Sequence, residues 1–73
     1  METYAVIEMN SDDSKVFLSA RSFPYTREGK RDAEQLFLNC MKENGAKKDE
    51  FPQAIEDGTW EIGTYHIVLV TTE

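Results

Sequence analysis

The sequence predicts an α+β domain of element order ββα(α)ββ, with a four-stranded antiparallel sheet and one main helix packed on one face. Three observations predict it: alternating apolar stretches near both ends, a helical apolar stripe in the middle, and turn residues between them. The chain has 73 residues, and we treat residues 1–73 as a single small domain. This length leaves no room for a two-lobed cleft, a complete dinucleotide-binding domain or a barrel.

The first two strands are predicted to form an antiparallel hairpin. Residues 3–9 are rich in apolar and β-branched side chains, and residues 15–23 have apolar side chains on both faces of an extended segment. The polar run at residues 10–14 predicts a turn, because short polar side chains hydrogen-bond to neighbouring backbone. Pro24 is expected to end the second strand, since proline cannot donate to the ladder.

The middle of the chain predicts an amphipathic helix. Thr26 is the expected N-cap, although Gly29 would be able to delay the start. The end is expected at Asn44 and Gly45, because glycine adopts the left-handed conformation that terminates helices. The apolar residues at helical spacing are Ala33, Leu36, Phe37, Cys40 and Met41.

A short helical turn is predicted at residues 49–57. Asp49 is its expected cap and Gly58 its expected end. Pro52 is compatible with this assignment only because it lies near the start of the turn.

Residues 59–62 and 65–71 predict a closing hairpin around the two-residue loop at residues 63–64. In that register Ile62 faces Tyr65, Glu61 faces His66, and Trp60 faces Ile67. The last strand is apolar on both sides, which favours an interior position in the sheet.

The sheet is predicted to have more apolar surface than one helix can cover. A contiguous exposed apolar patch usually marks an interface. We therefore expect either a homodimer through the open sheet face or a protein partner there; in the alternative, the segment carrying Phe51 and Ile55 folds over that face. The open face would show some of the following residues or their opposite-face counterparts: Tyr4, Val6, Phe17, Phe23, Val68 and Val70.

The net charge of −6 belongs entirely to the last third of the chain. Residues 1–48 carry eight acidic and eight basic side chains, whereas residues 49–73 carry no lysine or arginine. The acidic residues form either a solvated surface or a patch that meets a basic surface on a protein partner, with carboxylates standing in for phosphates. The predicted partner-binding residues are Asp49, Glu50, Glu56, Asp57 and Glu61.

Two large aromatic residues, Phe51 and Trp60, flank these acids. Core positions are the ordinary expectation for both. If exposed beside carboxylates, they would be typical of the aromatic centre of a protein interface.

No catalytic residue, metal ligand or cofactor is predicted, and the sequence argues against an enzyme. Cys40 lies on the apolar stripe, where a buried thiol is inert. A Cys40–His66 dyad would require His66 on the face under the helix, so we expect His66 to pair with Glu61 instead. One histidine, one cysteine and scattered carboxylates do not provide the spacing of a metal site.

Arg27, Lys30 and Arg31 form a basic cluster at the start of the helix. They are either a solvated helix face or a contact for RNA or phosphate. The overall negative charge disfavours nucleic acid as a partner, because phosphate contacts need clustered cations.

In size, charge and element order, the chain resembles small α+β proteins encoded by phages and mobile elements, including anti-CRISPR and other anti-defence inhibitors. This resemblance is one of general style and assigns no residue a role. It implies a small acidic, non-enzymatic protein-interaction module, an inhibitor that blocks a partner surface such as a nucleic-acid channel. The alternatives are a small RNA-binding or nucleotide-sensing module and a self-associating structural subunit.

We expect a cytoplasmic location and no membrane association. A single cysteine fits a reducing compartment. No apolar run approaches the length of a membrane-spanning helix.

Overall fold

The computed structural model describes residues 2–12 and 15–72, and it confirms the predicted α+β fold. A 3₁₀ turn, Lys48–Glu50, leads directly into the second helix. Within the described ranges, no helix is long and apolar enough to cross a membrane. The elements are β1 Thr3–Asp12, β2 Lys15–Pro24, α1 Arg27–Glu43, α2 Phe51–Asp57, β3 Thr59–Ile62 and β4 Tyr65–Thr72.

The four strands form one antiparallel sheet in the order β2-β1-β4-β3. The interior position predicted for β4 is confirmed. The closing hairpin has the predicted register, with Ile62 opposite Tyr65 and Trp60 opposite Ile67. Gly63 has φ 57°, the left-handed conformation that a two-residue loop favours and that glycine adopts without strain.

The first hairpin is longer than predicted. The turn expected at residues 10–14 is wrong over residues 10–12, which continue β1. The neighbouring β3–β4 loop extends the strand: the Ser11 N–H donates to the Thr64 carbonyl at 3.3 Å, and the Thr64 hydroxyl donates to the Asn10 side chain at 2.9 Å. Asp13 and Ser14 lie outside the described residues.

Helix α1 begins and ends as the sequence predicts. The Gly29 N–H donates to the Thr26 hydroxyl at 3.0 Å, so Thr26 is the N-cap and Gly29 belongs to the first turn. At the other end, the Asn44 side chain donates to the Cys40 carbonyl at 2.8 Å. Gly45 follows with φ 97°.

The core lies between α1 and one face of the sheet. Phe37 and Met41 of α1 and Ile67 of β4 are fully buried there. Helix α2 packs on the same side, because Phe51 and Ile55 contact this core. The alternative in which that segment folds over the open sheet face is therefore wrong.

Of the residues expected to supply the open face, Tyr4, Val6 and Phe23 do not lie on it, whereas Val68 and Val70 do. The register places Val6 opposite Leu69 and Tyr4 opposite Phe23. Directly paired residues share a face, so the first three face the helices and the two valines lie on the open side. The side chain of Phe17 is outside the described part of the structure.

Candidate functional site

A groove of about 310 Å³ lies between α2 and β3. Its volume is at the lower end of the range for ligand pockets, which suits one or two side chains of a partner. Among the described residues that line it, there is no lysine or arginine. The lining residues are Asp49, Glu50, Gln53, Ala54, Asp57, Thr59 and Trp60.

Glu50 ties the two walls of the groove together. One carboxylate oxygen accepts the backbone N–H of Lys47 at 2.7 Å, which caps the 3₁₀ turn. The other accepts the indole N–H of Trp60 at 3.4 Å. These two donors, the backbone N–H first, hold the pKa of Glu50 below its usual range, so this carboxylate stays ionised in mildly acidic solution.

Trp60 is half-buried and fixed from two sides. Its ring meets the ring of Tyr65 edge-on, with centroids 6.3 Å apart. Across the groove the small side chain of Ala54 is buried, which leaves space beside the indole. The indole is therefore a pre-positioned aromatic surface within the acidic groove.

The second helix presents a further carboxylate of the groove, that of Asp57. The Gln53 side-chain amide donates to the Asp57 carboxylate at 2.9 Å, one turn apart on α2. Gly58 then ends the helix with φ 72°, and its carbonyl accepts the N–H of Leu69 in β4 at 2.8 Å. This bond fixes the end of α2 against the sheet.

The groove combines carboxylates with an aromatic ring, and this combination favours a cation. Guanidinium and ammonium groups bind carboxylates through charge-assisted hydrogen bonds and are attracted to the face of an indole. The geometry supports recognition of arginine or lysine side chains.

The predicted acidic patch divides into two parts. Asp49, Glu50 and Asp57 line the groove, whereas Glu56 is exposed on α2 outside the lining. Glu61 follows Trp60 on β3 and so points to the opposite face of the sheet. The predicted aromatic Phe51 packs against the core and is also outside the lining.

His66 pairs with Glu61 as predicted, with 3.9 Å between the ring Nδ1 and the carboxylate. A second partner was not predicted: His66 Nε2 lies 2.8 Å from the Thr59 hydroxyl. Both contacts are on the open side of the sheet, and Cys40 lies under α1 on the other side. The structure therefore places the two residues of the considered dyad on opposite faces.

Under α1, Cys40 has two polar neighbours that the sequence analysis did not identify. The Tyr65 hydroxyl donates to the Glu8 carboxylate at 2.7 Å. Burial, reinforced by Glu8, raises the pKa of the Cys40 thiol to about 11, and the same causes raise the pKa of Tyr65. A thiol held protonated in this way is a poor nucleophile.

The basic cluster lies exposed on the first two turns of α1, as Arg27, Lys30 and Arg31 all face solvent. An aromatic pair lies at the same end of the sheet, where Tyr25 stacks on Tyr4 with ring centroids 4.8 Å apart. Tyr25 is 52% exposed.

Within residues 2–12 and 15–72, no group of three or more histidine, cysteine or acidic side chains is arranged to hold a metal ion. Comparison of the chain with protein-family models, curated proteins and solved structures finds no match.

Proposed function

We propose that this protein is a non-enzymatic interaction module that holds a basic segment of a partner protein in the groove between α2 and β3. The observation that carries the proposal is that Asp49, Glu50 and Asp57 line the same groove as Trp60, whose indole N–H donates to Glu50. A cationic side chain stacked on the indole would interact with these carboxylates.

Several features support binding without chemistry. The groove is open and small, and the pKa of its Glu50 carboxylate is lowered, which does not suit a general acid or base near neutral pH. The only thiol is buried and protonated. A fixed acidic and aromatic surface suits recognition.

As a more specific form of the proposal, the module is an inhibitor that occupies a lysine- and arginine-lined nucleic-acid channel in the cytoplasm. The carboxylates would then take the positions of phosphates, and the indole would take the position of a stacked base. In this form of the proposal, the protein acts as a phage-type inhibitor of the anti-CRISPR kind, by blocking the channel of its partner.

Tryptophan fluorescence gives a direct test, because Trp60 is the only tryptophan in the chain. A hexa-arginine peptide is titrated into the protein at low salt, with a glycine–serine peptide of equal length as the neutral control. We expect a saturable change in emission with the basic peptide only. An unchanged spectrum throughout the titration would contradict the proposal.

Two double variants localise the binding. Asp49→Lys with Asp57→Lys reverses two charges in the groove, and Glu56→Lys with Glu61→Lys makes the same change in net charge outside it. We expect the groove variant to lose at least tenfold in affinity and the control variant to lose much less. Equal losses would show that diffuse charge, and not the groove, attracts the peptide.

Testing the channel-blocking form of the proposal requires the natural partner of the protein. Wild type, groove variant and control variant are used as baits in parallel, and the captured partner is then tested for nucleic-acid binding. A partner retained by wild type and control, lost with the groove variant and displaced from its nucleic acid would support the channel-blocking form.

A second candidate function is RNA binding at the start of α1, favoured by the exposed Tyr25, which lies two residues before Arg27 and stacks on the half-buried Tyr4. Exposed aromatic rings stack bases, and nearby cations contact phosphates. A mixed RNA pool at low salt should then bind wild type and not the triple variant with Arg27, Lys30 and Arg31 changed to alanine. No detectable binding to wild type would exclude this candidate.

A further inference from the structure

The sheet face opposite the helices is apolar at its centre and polar towards its edges, and no described segment of the chain covers it. Met9 is 42% exposed, Leu18 65% and Val70 37%. Register places them on one side, because Met9 is opposite Leu18, and Val70 is opposite Ala5 of the same strand as Met9. Among the side chains that the structure describes, the apolar ones of this face are Ala5, Ile7, Met9, Leu18, Ala20, Val68 and Val70.

The charges of this face differ from those of the rest of the molecule. Charged residues make up 30% of the chain. Among the described side chains of the open face, Glu61 is the one carboxylate, and lysine and arginine are absent. Glu61 lies at a corner, beside His66.

These charges restrict what can cover the face. A basic partner would find one carboxylate at the corner, and an acidic partner would find no lysine or arginine among the described side chains. The face is complementary to an uncharged apolar surface, and this molecule provides such a surface itself. In a twofold dimer the same patch meets its own copy.

The exposed area of the whole chain leaves room for an interface of ordinary size. The chain exposes 5351 Å², whereas a compact monomer of 8.4 kDa is expected to expose about 4,600 Å². The excess of about 700 Å² is close to the roughly 800 Å² that each partner buries in a standard protein–protein interface.

We infer that two copies of this chain pack through their open sheet faces to form a homodimer. Sheets stack about 10 Å apart with nearly aligned strands, and side chains interdigitate between them. In the central row of the face the small Ala20 lies beside Ile7, and Ile7 lies beside Val68; this uneven relief suits interdigitation.

Sedimentation equilibrium of the full chain, from micromolar to millimolar concentration, tests the inference. We expect the mass to rise from 8.4 kDa to twice that value. A mass that stays monomeric at millimolar concentration would overturn the inference. Peptide binding in the groove would be unaffected, since the groove lies on the helix side.

Two matched variants locate the interface. Leu18→Lys places a charge on the open face, where the side chain is already 65% exposed in the monomer. Ile62→Lys makes the same change at a residue that is 47% exposed on the helix side of the sheet. We expect the first to be monomeric and the second to dimerise as wild type does; the reverse pattern would overturn the inference.

Dilution of wild-type protein gives a readout that does not depend on a variant folding. Methyl NMR signals of Ile7, Met9, Leu18, Val68 and Val70 should shift between millimolar and micromolar samples, while those of Ile55 and Ile62 stay fixed. Shifts confined to the helix side would contradict the open-face dimer.

Discussion

At the scale of single residues, Gly29 has the tightest steric requirement among the glycines. A Cβ built there would lie 1.8 Å from the carbonyl oxygen of Pro24. In an ordinary exposed helix, alanine is more stable than glycine by about 1 kcal/mol. Here the added methyl group pushes α1 away from the end of β2, and we expect Gly29→Ala to lower the free energy of unfolding by about 1–3 kcal/mol.

Urea denaturation of wild type and Gly29→Ala measures this effect. Lys30→Ala, at the next and exposed position of the same turn, is the control and should change stability little. If Gly29→Ala proves more stable than wild type, the close approach of α1 to Pro24 is wrong.

Cys40 makes a second residue-scale prediction, concerning alkaline pH. Its folded-state pKa of about 11 lies above the ordinary value of 9.0, so the unfolded chain loses this proton first as pH rises. The contribution of the protonated Cys40 thiol to the free energy of unfolding is therefore complete below pH 9, and it is lost as pH rises towards 11. Tyr65, whose pKa is also raised, acts in the same direction above its ordinary value of 10.0.

We therefore expect the denaturation midpoint of wild type to fall steeply from pH 9 to pH 11. Cys40→Ala should have a lower midpoint at neutral pH, because it leaves a cavity, but a shallower decline. Parallel profiles for the two proteins would show that the thiol does not titrate as inferred.

At the scale of elements, the sequence predicted the features that depend on neighbouring residues, namely turns, strand register and helix ends. The register of β3 and β4 followed from their two-residue loop, and the limits of α1 followed from Thr26 and Gly45. The strand order β2-β1-β4-β3 did not follow, because a period of two defines the faces of a strand and not its neighbours. The polar end of β1 was missed because Asn10 and Ser11 are held by Thr64 of a distant loop.

The candidate site also combines features that the local sequence predicts with features that depend on tertiary packing. Composition identified Asp49, Glu50 and Asp57 as acids near Trp60, but their convergence depends on how α2 packs beside β3. Counting charges along the sequence does not show on which face of the sheet a side chain lies, so Glu61 was grouped with these three acids. The alternation of side chains along β3 would have separated Glu61 from the groove, because adjacent strand residues such as Trp60 and Glu61 point to opposite faces.

At the scale of the whole molecule, the net charge of −6 gives the two proposed associations opposite responses to salt. Two copies repel each other, and at about 0.1 M salt this repulsion is screened beyond about 10 Å. Dimerisation through the open face, whose centre is apolar, should therefore strengthen as salt is added. Hexa-arginine is attracted to the acidic groove, so its binding should weaken under the same change.

Sedimentation equilibrium and Trp60 emission, each measured at low and at moderate salt, follow the two associations separately. A dimer that weakens with salt would be held by charge pairs and not by the apolar face. Peptide binding that is insensitive to salt would mean that the carboxylates of the groove do not carry it. The opposite signs make the test informative, since a general effect of salt on folding would move both associations in the same direction.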